Sequence, residues 1–572
     1  MGLILAESES EVRSLHKSVN HKRHKWIALS PFAIVELEKL GIPFDIVDDY
    51  YTADELWDAT GWNTLERVNG LIRLVDDFLK ERNRKLKEMD LDVLNCYKHQ
   101  LIMLFDGVIG RLFMLKRLIN ALNPENIYVC KRRPGAFSGF GYLFTHRDTI
   151  WGNCLSLEGW NCDVEFLEPD DPEGVTGSMF GFFTPNEFSL RSFVIGNKRL
   201  LTFASYLKRH WEEGSVNFLR RFLSLSGRRF IFLASTKESK DTLPLFVREG
   251  YVVERIDFNK HEKTKENLFS PGVDGIRHLQ DRQDYREKFI FEGIDFYPLM
   301  KDRIERMILD GISNITYVYE ESKRYIKKKK PVAILASQSA KAEYWMFLQC
   351  MRKEGVPIIL WSEAPAGLFN SRKFMGVLLL YADYALCFGP GVAKTYNAFR
   401  DEYNFQPILL ESAGFTKLKK EPEVKGNYIL YATANYYQHN LYFAWYPGIS
   451  DIKLYYVQNT ILRYLDKLTN EDIVFKMHPN ITYRKPPIRL VNPRIKKIQN
   501  EKTFGKLIPD AKIVILDSPS TTLLQAAATN KPIFALLKFW KYHDDALVLL
   551  KKRVVCADEP EELVQKLDCY LR

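Results

Sequence analysis

The chain has 572 residues, 46% of them hydrophobic and 27% charged, with a formal net charge of +10. That length exceeds what one hydrophobic core sustains, and the composition is that of an ordinary globular protein, not a disordered, collagenous or disulfide-built one. The basic runs, His16–Lys25 and Lys323–Lys330, read first as solvated faces, with attraction to anions such as an anionic leaflet or a phosphorylated acceptor as the alternative, and nucleic acid is not expected, because no zinc-finger spacing or RRM-like sequence accompanies the charge.

In chain order, Leu3 to Ala6 reads as a strand, and Ser8 with Glu11 has capping-box spacing ahead of a helix. Lys25 to Val47 gives apolar run, helix ending at Gly41, and apolar run, a βαβ pattern. Amphipathic helices are predicted over about Thr64–Glu88 and Lys98–Leu122. These form an N-terminal α/β region, residues 1–125. A second region, 126–416, holds predicted strands at Ile127–Cys130, Val164–Leu167, Arg229–Ala234 and Val252–Ile256. Its long helix, Tyr297–Lys327, ends in a lysine run before Pro331, where cations complement the helix dipole. Regular strand–helix alternation follows from VAILAS to PILLESAG. The charged stretch Lys417–Gly426 reads as a linker to a third region, 427–572, opened by a strand at Tyr428–Ala432.

The eight cysteines (96, 130, 154, 162, 350, 387, 556 and 569) form no C-x-x-C pair, and several sit in apolar runs. Buried thiols in a reducing compartment are expected, not disulfides or zinc. The start, MGLILAESESE, lacks a basic n-region, and Ala6 breaks the myristoylation pattern. The longest apolar stretch, about Phe374–Phe388, carries Asp383 and is too short to span a bilayer. A cytoplasmic protein is expected, with peripheral contact to the inner face of an anionic membrane as the alternative use of basic runs such as His16–Lys25.

Two motifs in the third region carry the chemistry. IVFKMHPN, Ile473–Asn480, is an apolar strand ending in Lys476, His478 and Pro479. Lys512–Leu536 reads as strand, polar turn DSPSTT, helix and strand. Open α/β sheets bind ligands beyond the carboxyl ends of their strands, and a helix opening there offers free N–H groups to a phosphate. Both motifs therefore point to a nucleotide-activated donor. His478 can donate an imidazole N–H to a phosphate oxygen, and Lys476, on the same strand face, can add charge. Ser518, Ser520 and Thr521 offer hydroxyls. Thr433 and Asn435, after the strand at 428–432, are further donor-side candidates, with helix capping or turn formation as the plain alternative.

With these residues the chain resembles GT-B glycosyltransferases of bacterial surface-polysaccharide biosynthesis. FKMHP is similar to the HP motif of bacterial sialyltransferases, Kdo transferases and CDP-glycerol glycerophosphotransferases, and SPSTT, Ser518–Thr522, to its companion Ser/Thr motif. The resemblance covers about Pro331–Leu537. The N-terminal ALSP, LEKLGIPF and DDYY pieces resemble surface-carbohydrate biosynthesis proteins. It implies an α/β fold of GT-B type: two Rossmann-like domains facing an interdomain cleft, with an enlarged N-terminal domain. Residues 126–416 would form the acceptor side and 427–572 the nucleotide-donor side. The implied activity is transfer of a sugar from a CMP- or CDP-linked donor to a cell-surface glycan or lipid-linked acceptor, without metal or other cofactor. Gln525 stands where many such enzymes have a ribose-binding Glu, a departure that removes a charged acceptor and favours a cytidine donor. An inverting transfer needs a base. Glu363, in IILWSEAPAG, is the candidate, ahead of the Trp211–Gly214 stretch, which follows a predicted helix. Ser337, Gln338 and Ser362 are candidates for the acceptor side. Two alternatives stay open: a nucleotide-sugar epimerase of GT-B fold, and a non-catalytic glycan- or nucleotide-binding component.

Overall fold

The computed structural model describes residues 2–20, 23–131, 142, 144, 149–169, 230–233, 249, 251–255, 273–337, 341–361, 379–388, 390–400, 406–410, 426–434, 436, 450–479, 490–518, 521–538 and 542–572. Among these, three all-parallel sheets carry the fold.

The first sheet uses β1 (Gly2–Ala6), β2 (His24–Ala28), β3 (Phe44–Ile46), β4 (Asn126–Cys130) and β5 (Asp163–Leu167), in the order β3-β2-β1-β4-β5. Its central strand β1, GLILA, is buried along its whole length, as an interior parallel strand covered on both faces must be. The N-terminal region is thus a complete sheet, and the boundary expected after residue 125 falls inside it. β4 pairs with β1 (Leu3↔Ile127) and β5 with β4, so both belong to the first lobe and not to the second. The helices at Trp62–Arg82 and Lys98–Leu122 lie within the crossover between β3 and β4. The first of them stops earlier than its apolar spacing predicts. Asn83 leaves helical geometry and accepts from Leu86 N–H at 3.1 Å, opening a separate helix at Arg84–Met89.

The second sheet contains β6 (Phe230–Leu233), β7 (Val252–Arg255), β10 (Pro331–Ser337), β11 (Ile358–Trp361), β12 (Tyr384–Phe388) and β13 (Gln406–Leu410), ordered β13-β12-β11-β10-β6-β7. A small hairpin, β8 (Ile290–Phe291) with β9 (Ile294–Asp295), precedes its long helix, Tyr297–Lys329. That helix ends in Lys327, Lys328 and Lys329, and Lys330 takes left-handed geometry (φ 47°) to turn the chain into β10.

The third sheet holds β14 (Tyr428–Ala432), β15 (Ile473–Lys476), β16 (Ile495–Ile498), β17 (Ala511–Leu516), β18 (Ile533–Leu536) and β19 (Val555–Ala557), in the order β16-β15-β14-β17-β18-β19. One buried core runs through all three lobes, and a second lies on the other face of the third sheet, around Leu430, Val514, Leu516 and Leu523. Each such side chain taken fully from water contributes roughly 1.5–3 kcal/mol before entropy is charged against it.

Polar bolts join the lobes. The Gln349 carboxamide brackets the Asp92 backbone, accepting from its N–H at 2.6 Å and donating to its carbonyl at 2.9 Å, which ties the second lobe to the first. All eight cysteines are free thiols. Among the described residues no helix is long and apolar enough to cross a membrane.

Candidate functional site

Taken in chain order, the third sheet's strands lie 3-2-1-4-5-6, the doubly wound order whose topological switch point falls between strands 1 and 4, here β14 and β17. Register fixes what meets there. Ala432 pairs with both Leu516 and Lys476, so Thr433, Met477 and Asp517 leave the sheet at one level. His478 and Ser518 each lie one residue further, both half-buried. The sequence therefore brings Thr433, His478 and Ser518 to one sheet edge, on three neighbouring strands. Thr521 opens the helix Thr521–Ala527 that follows β17. Gln525 is half-buried on that helix, and a methyl group added at Gly505 would meet its Oε1 at 3.8 Å.

The residue that organises this edge was not among the sequence candidates. Asp517 is 0% exposed. Its Oδ1 accepts from Ala434 N–H at 2.7 Å, and its Oδ2 from Tyr431 hydroxyl at 3.1 Å and Gln458 Nε2 at 2.9 Å. Tyr436 hydroxyl donates to Gln458 Oε1 at 2.8 Å and so orients the carboxamide. Burial pushes the Asp517 carboxyl up to about 6, against the hydrogen bonds that favour its ionised form. The signal was present in the sequence: an acid closing an apolar strand, directly before the Ser/Thr turn.

Lys476 departs from the expected donor contact. It is buried, and its ammonium donates to Met477 carbonyl at 2.9 Å and to Gln499 carbonyl. Burial pulls its pKa down, while the charge of Glu501 opposes this. The backbone acceptors lie at the β15 and β16 ends, so the side chain turns inward and ties those ends together. The turn after β14 is likewise committed. Thr433 N–H donates to Lys476 carbonyl at 3.1 Å and Ala434 N–H to Asp517, so neither amide is left for a phosphate. His478, Ser518 and Thr521 stand at the same edge, residue types whose N–H and O–H groups can donate to an anion.

The second sheet has the other common doubly wound order, with its switch point between β6 and β10. Ser337 is the last residue of β10 and closes that strand there. Gln338, Ser362, Glu363, Asn435 and Ser520 lie outside the described residues, as does Trp211–Gly214.

Both other lobes reach the third. Helix Asp451–Asp466 packs on helix Pro31–Leu40, and Lys453 Nζ lies 3.9 Å from Asp48 Oδ1 and 5.3 Å over the Tyr51 ring. Tyr51 hydroxyl donates to Asp48 at 2.9 Å. Burial pushes the Asp48 carboxyl up, with Lys453, Ser450 and Tyr51 opposing. From the second lobe, Lys394 pairs with Asp545 at the exposed surface. An open groove of about 440 Å³ lined by Glu55, Asp58, Arg67, Arg117 and Glu292 shares no residue with the β14–β17 edge. No group of three or more potential metal ligands occurs among the described residues.

No protein-family model matches the chain, and no curated protein matches it in sequence. Solved structures do match. A putative UDP-N-acetylglucosamine 2-epimerase from Listeria monocytogenes is 11% identical, with a TM-score of 0.36, over 60% of this chain and 87% of that one. UDP-GlcNAc 2-epimerase from Neisseria meningitidis, bound to UDP-GlcNAc, is 11% identical at a TM-score of 0.32, over 60% and 90%. MurG from Acinetobacter baumannii is 12% identical at 0.29, over 63% and 86%. Scores this low carry nothing about site or activity. The fold itself is α/β, built of parallel sheets in Rossmann-like order.

Proposed function

We propose that the chain is a glycosyltransferase of GT-B organisation that moves a sugar from a CMP- or CDP-linked donor to a surface glycan or lipid-linked acceptor. The observation that supports this reading is the strand order of the third sheet, which puts His478 and Ser518 at the carboxyl edge beside the β14–β17 switch point. The donor's nucleotide lies along that edge. His478 donates to the departing phosphate, where negative charge grows as the glycosidic bond breaks, and the Ser518 and Thr521 hydroxyls share the load. Lys476 and Asp517 hold the backbone beneath. Glu363, two residues beyond β11, is the proposed base that takes the acceptor's proton, with Ser337, Gln338 and Ser362 on the acceptor side. A chelator is expected to leave turnover unchanged.

Thermal stabilisation by CMP, CDP, UDP and GDP, repeated with His478→Ala, tests the donor site. A ligand at 100 times its dissociation constant that binds only the native state stabilises by about 2.7 kcal/mol. The expected result is a shift with CMP or CDP that the variant loses. A shift with UDP alone moves the reading to a UDP-sugar transferase or epimerase. No shift with any nucleotide removes the donor site and leaves a glycan-binding component.

A further inference from the structure

We propose that Asp517 is the positioning residue of the donor site: its carboxylate ties the turn after β14 to the end of β17 and so fixes the crevice that receives the nucleotide. The proposal rests on the donor-site reading above and adds to it the group that shapes the site.

At a switch point the chain leaves adjacent strands toward opposite faces of the sheet, which is why a crevice opens there. The β14–β17 ladder ends at the pair Ala432 and Leu516. Beyond that pair, the bond from Ala434 N–H to Asp517 Oδ1, at 2.7 Å, joins the two diverging segments. Donors from three elements converge on the carboxylate: Ala434 N–H from the turn, Tyr431 hydroxyl from β14, and Gln458 Nε2 from helix Asp451–Asp466. Gln458 Nε2 also reaches Ala434 carbonyl at 3.4 Å, so the peptide groups on both sides of Ala434 are held.

The groups facing Asp517 are neutral hydrogen-bond donors. Tyr431 and Tyr436, from β14 and its turn, have hydroxyls that burial first, and the Asp517 charge second, hold protonated. From helix Asp451–Asp466 comes the neutral Gln458, with Asp451 acting on Tyr436. A buried carboxylate compensated by hydrogen bonds alone depends on every one of them, because removing any partner exposes an uncompensated charge. Protonation converts the charge-assisted tie to Ala434 into a weaker neutral one. The carboxyl, raised to about 6, makes that change in mildly acidic solution.

The test is the affinity of the best-binding nucleotide among CMP, CDP, UDP and GDP for the full chain and for Asp517→Asn, from pH 5 to pH 8. Affinity is read at a temperature where both proteins are folded. The variant presents an amide N–H₂ to converging donors. Its affinity at pH 7.5 is expected to fall roughly tenfold to a hundredfold, the worth of a hydrogen bond to a charged group. The ratio of wild-type to variant affinity, in which the phosphate's own titration cancels, is expected to shrink toward one as pH drops below about 6. Tyr431→Phe keeps the carboxylate and the Ala434 bond, and a smaller loss is expected. Should Asp517→Asn fail to fold, Tyr431→Phe and the amide exchange of Ala434 in the wild type carry the test, with a smaller protection factor, relative to the intrinsic exchange rate at each pH, expected below pH 6. Wild-type affinity in folded Asp517→Asn, or an Ala434 amide equally protected at pH 5 and pH 8, overturns the proposal. If no nucleotide binds the wild type, the donor reading fails instead, and the Ala434 exchange profile still decides whether the tie exists.

Discussion

The first and third sheets share the strand order 3-2-1-4-5, the third adding one strand at its edge, yet their switch-point turns have opposite chemistry. In the first, β1 runs into Glu7-Ser8-Glu9-Ser10-Glu11. Glu11 does not complete a capping box on Ser8. Its Oε2 reaches one residue further and accepts from Glu7 N–H at 2.7 Å, while Ser8 Oγ accepts from Glu11 N–H at 3.3 Å. Ser30 hydroxyl donates to the Glu7 carbonyl. The Glu7 N–H, a donor that such a turn can offer to a phosphate, is therefore taken by the protein's own Glu11 carboxylate, and both residues are buried. In the third sheet the one acid, Asp517, is spent beneath the turn, and hydroxyls follow it. Strand order locates a crevice, and the turn's side chains decide what can enter it.

Substitutions in the two lobes are expected to act with effects from severe to slight. The largest effects are expected at two glycines packed closely on strand backbone, Gly426 just before β14 and Gly152 on the helix Ile150–Leu155. A Cβ at Gly426 would lie 2.1 Å from Lys512 N, and one at Gly152 would lie 2.4 Å from Cys130 carbonyl oxygen. Either alanine substitution forces backbone to move and is expected to cost about 3 kcal/mol or more in urea unfolding. Equal losses would show that both sheets are anchored alike.

The next effect is a pH dependence shared by both lobes. Asp76 in the first lobe accepts from Val93, Leu94 and Asn95 N–H groups at 2.8, 2.7 and 3.0 Å. Burial, with the Asp92 charge adding, raises it to about 7, as burial raises Asp517 to about 6. Both exceed the ordinary carboxylate value of about 3.9, so the folded state takes up their protons first as pH falls. Their contribution to stability therefore grows from about pH 7 down to about pH 4 and is lost again as pH rises. For Asp517 the shift corresponds to ~3 kcal/mol. Asp90, held low by Lys353 and Lys80, acts oppositely and loses stability as pH drops through its own lowered pKa. Urea midpoints across pH 4–8 should rise on mild acidification in the wild type, and Asp76→Asn or Asp517→Asn should each flatten the rise.

Glu11→Gln acts on the turn after β1 alone. Loss of the charged acceptor for Glu7 N–H is expected to cost about 1–2 kcal/mol, yet calorimetric titration should still find one nucleotide per chain. Two per chain would mean that only the carboxylate kept the first sheet empty. The smallest effects lie at caps and surface pairs. Ser30→Ala and Ser450→Ala each remove an N-cap acceptor and should cost about 1 kcal/mol. Lys394→Ala, which removes an exposed pair with Asp545, should leave the melting temperature where it was.

Local pattern made much of the fold legible. Tyr428–Ala432 and Lys98–Leu122 appear with the bounds the apolar runs suggest, because polar residues or helix breakers mark their ends. His478 and Ser518 were legible for the same reason: a polar residue just past a buried strand lies at the sheet edge. What stayed hidden is non-local. The strand character of Ile127–Cys130 is plain, but its pairing with Leu3 across a long helical crossover is not encoded in its own residues. Strand alternation put Lys476 on a definite face without showing that the Gln499 carbonyl on the next strand would take its ammonium. Asp517 likewise looks like one more turn residue until Tyr431, Ala434 and Gln458 are brought around it.

The helix Tyr297–Lys329, 33 residues and about 50 Å long, has a consequence for how the molecule comes apart. Asp310, midway along it, accepts from Tyr142 hydroxyl at 2.6 Å, and a methyl group at Gly311 would strike Val93 at 2.6 Å, so the helix is wedged against the first lobe before it turns into β10 of the second. Gln349 and Asp92 fasten the same two lobes a second time. A beam built into two walls cannot be withdrawn from one of them. Heating should therefore melt the first and second sheets in one step, and calorimetry that separated them would break the argument.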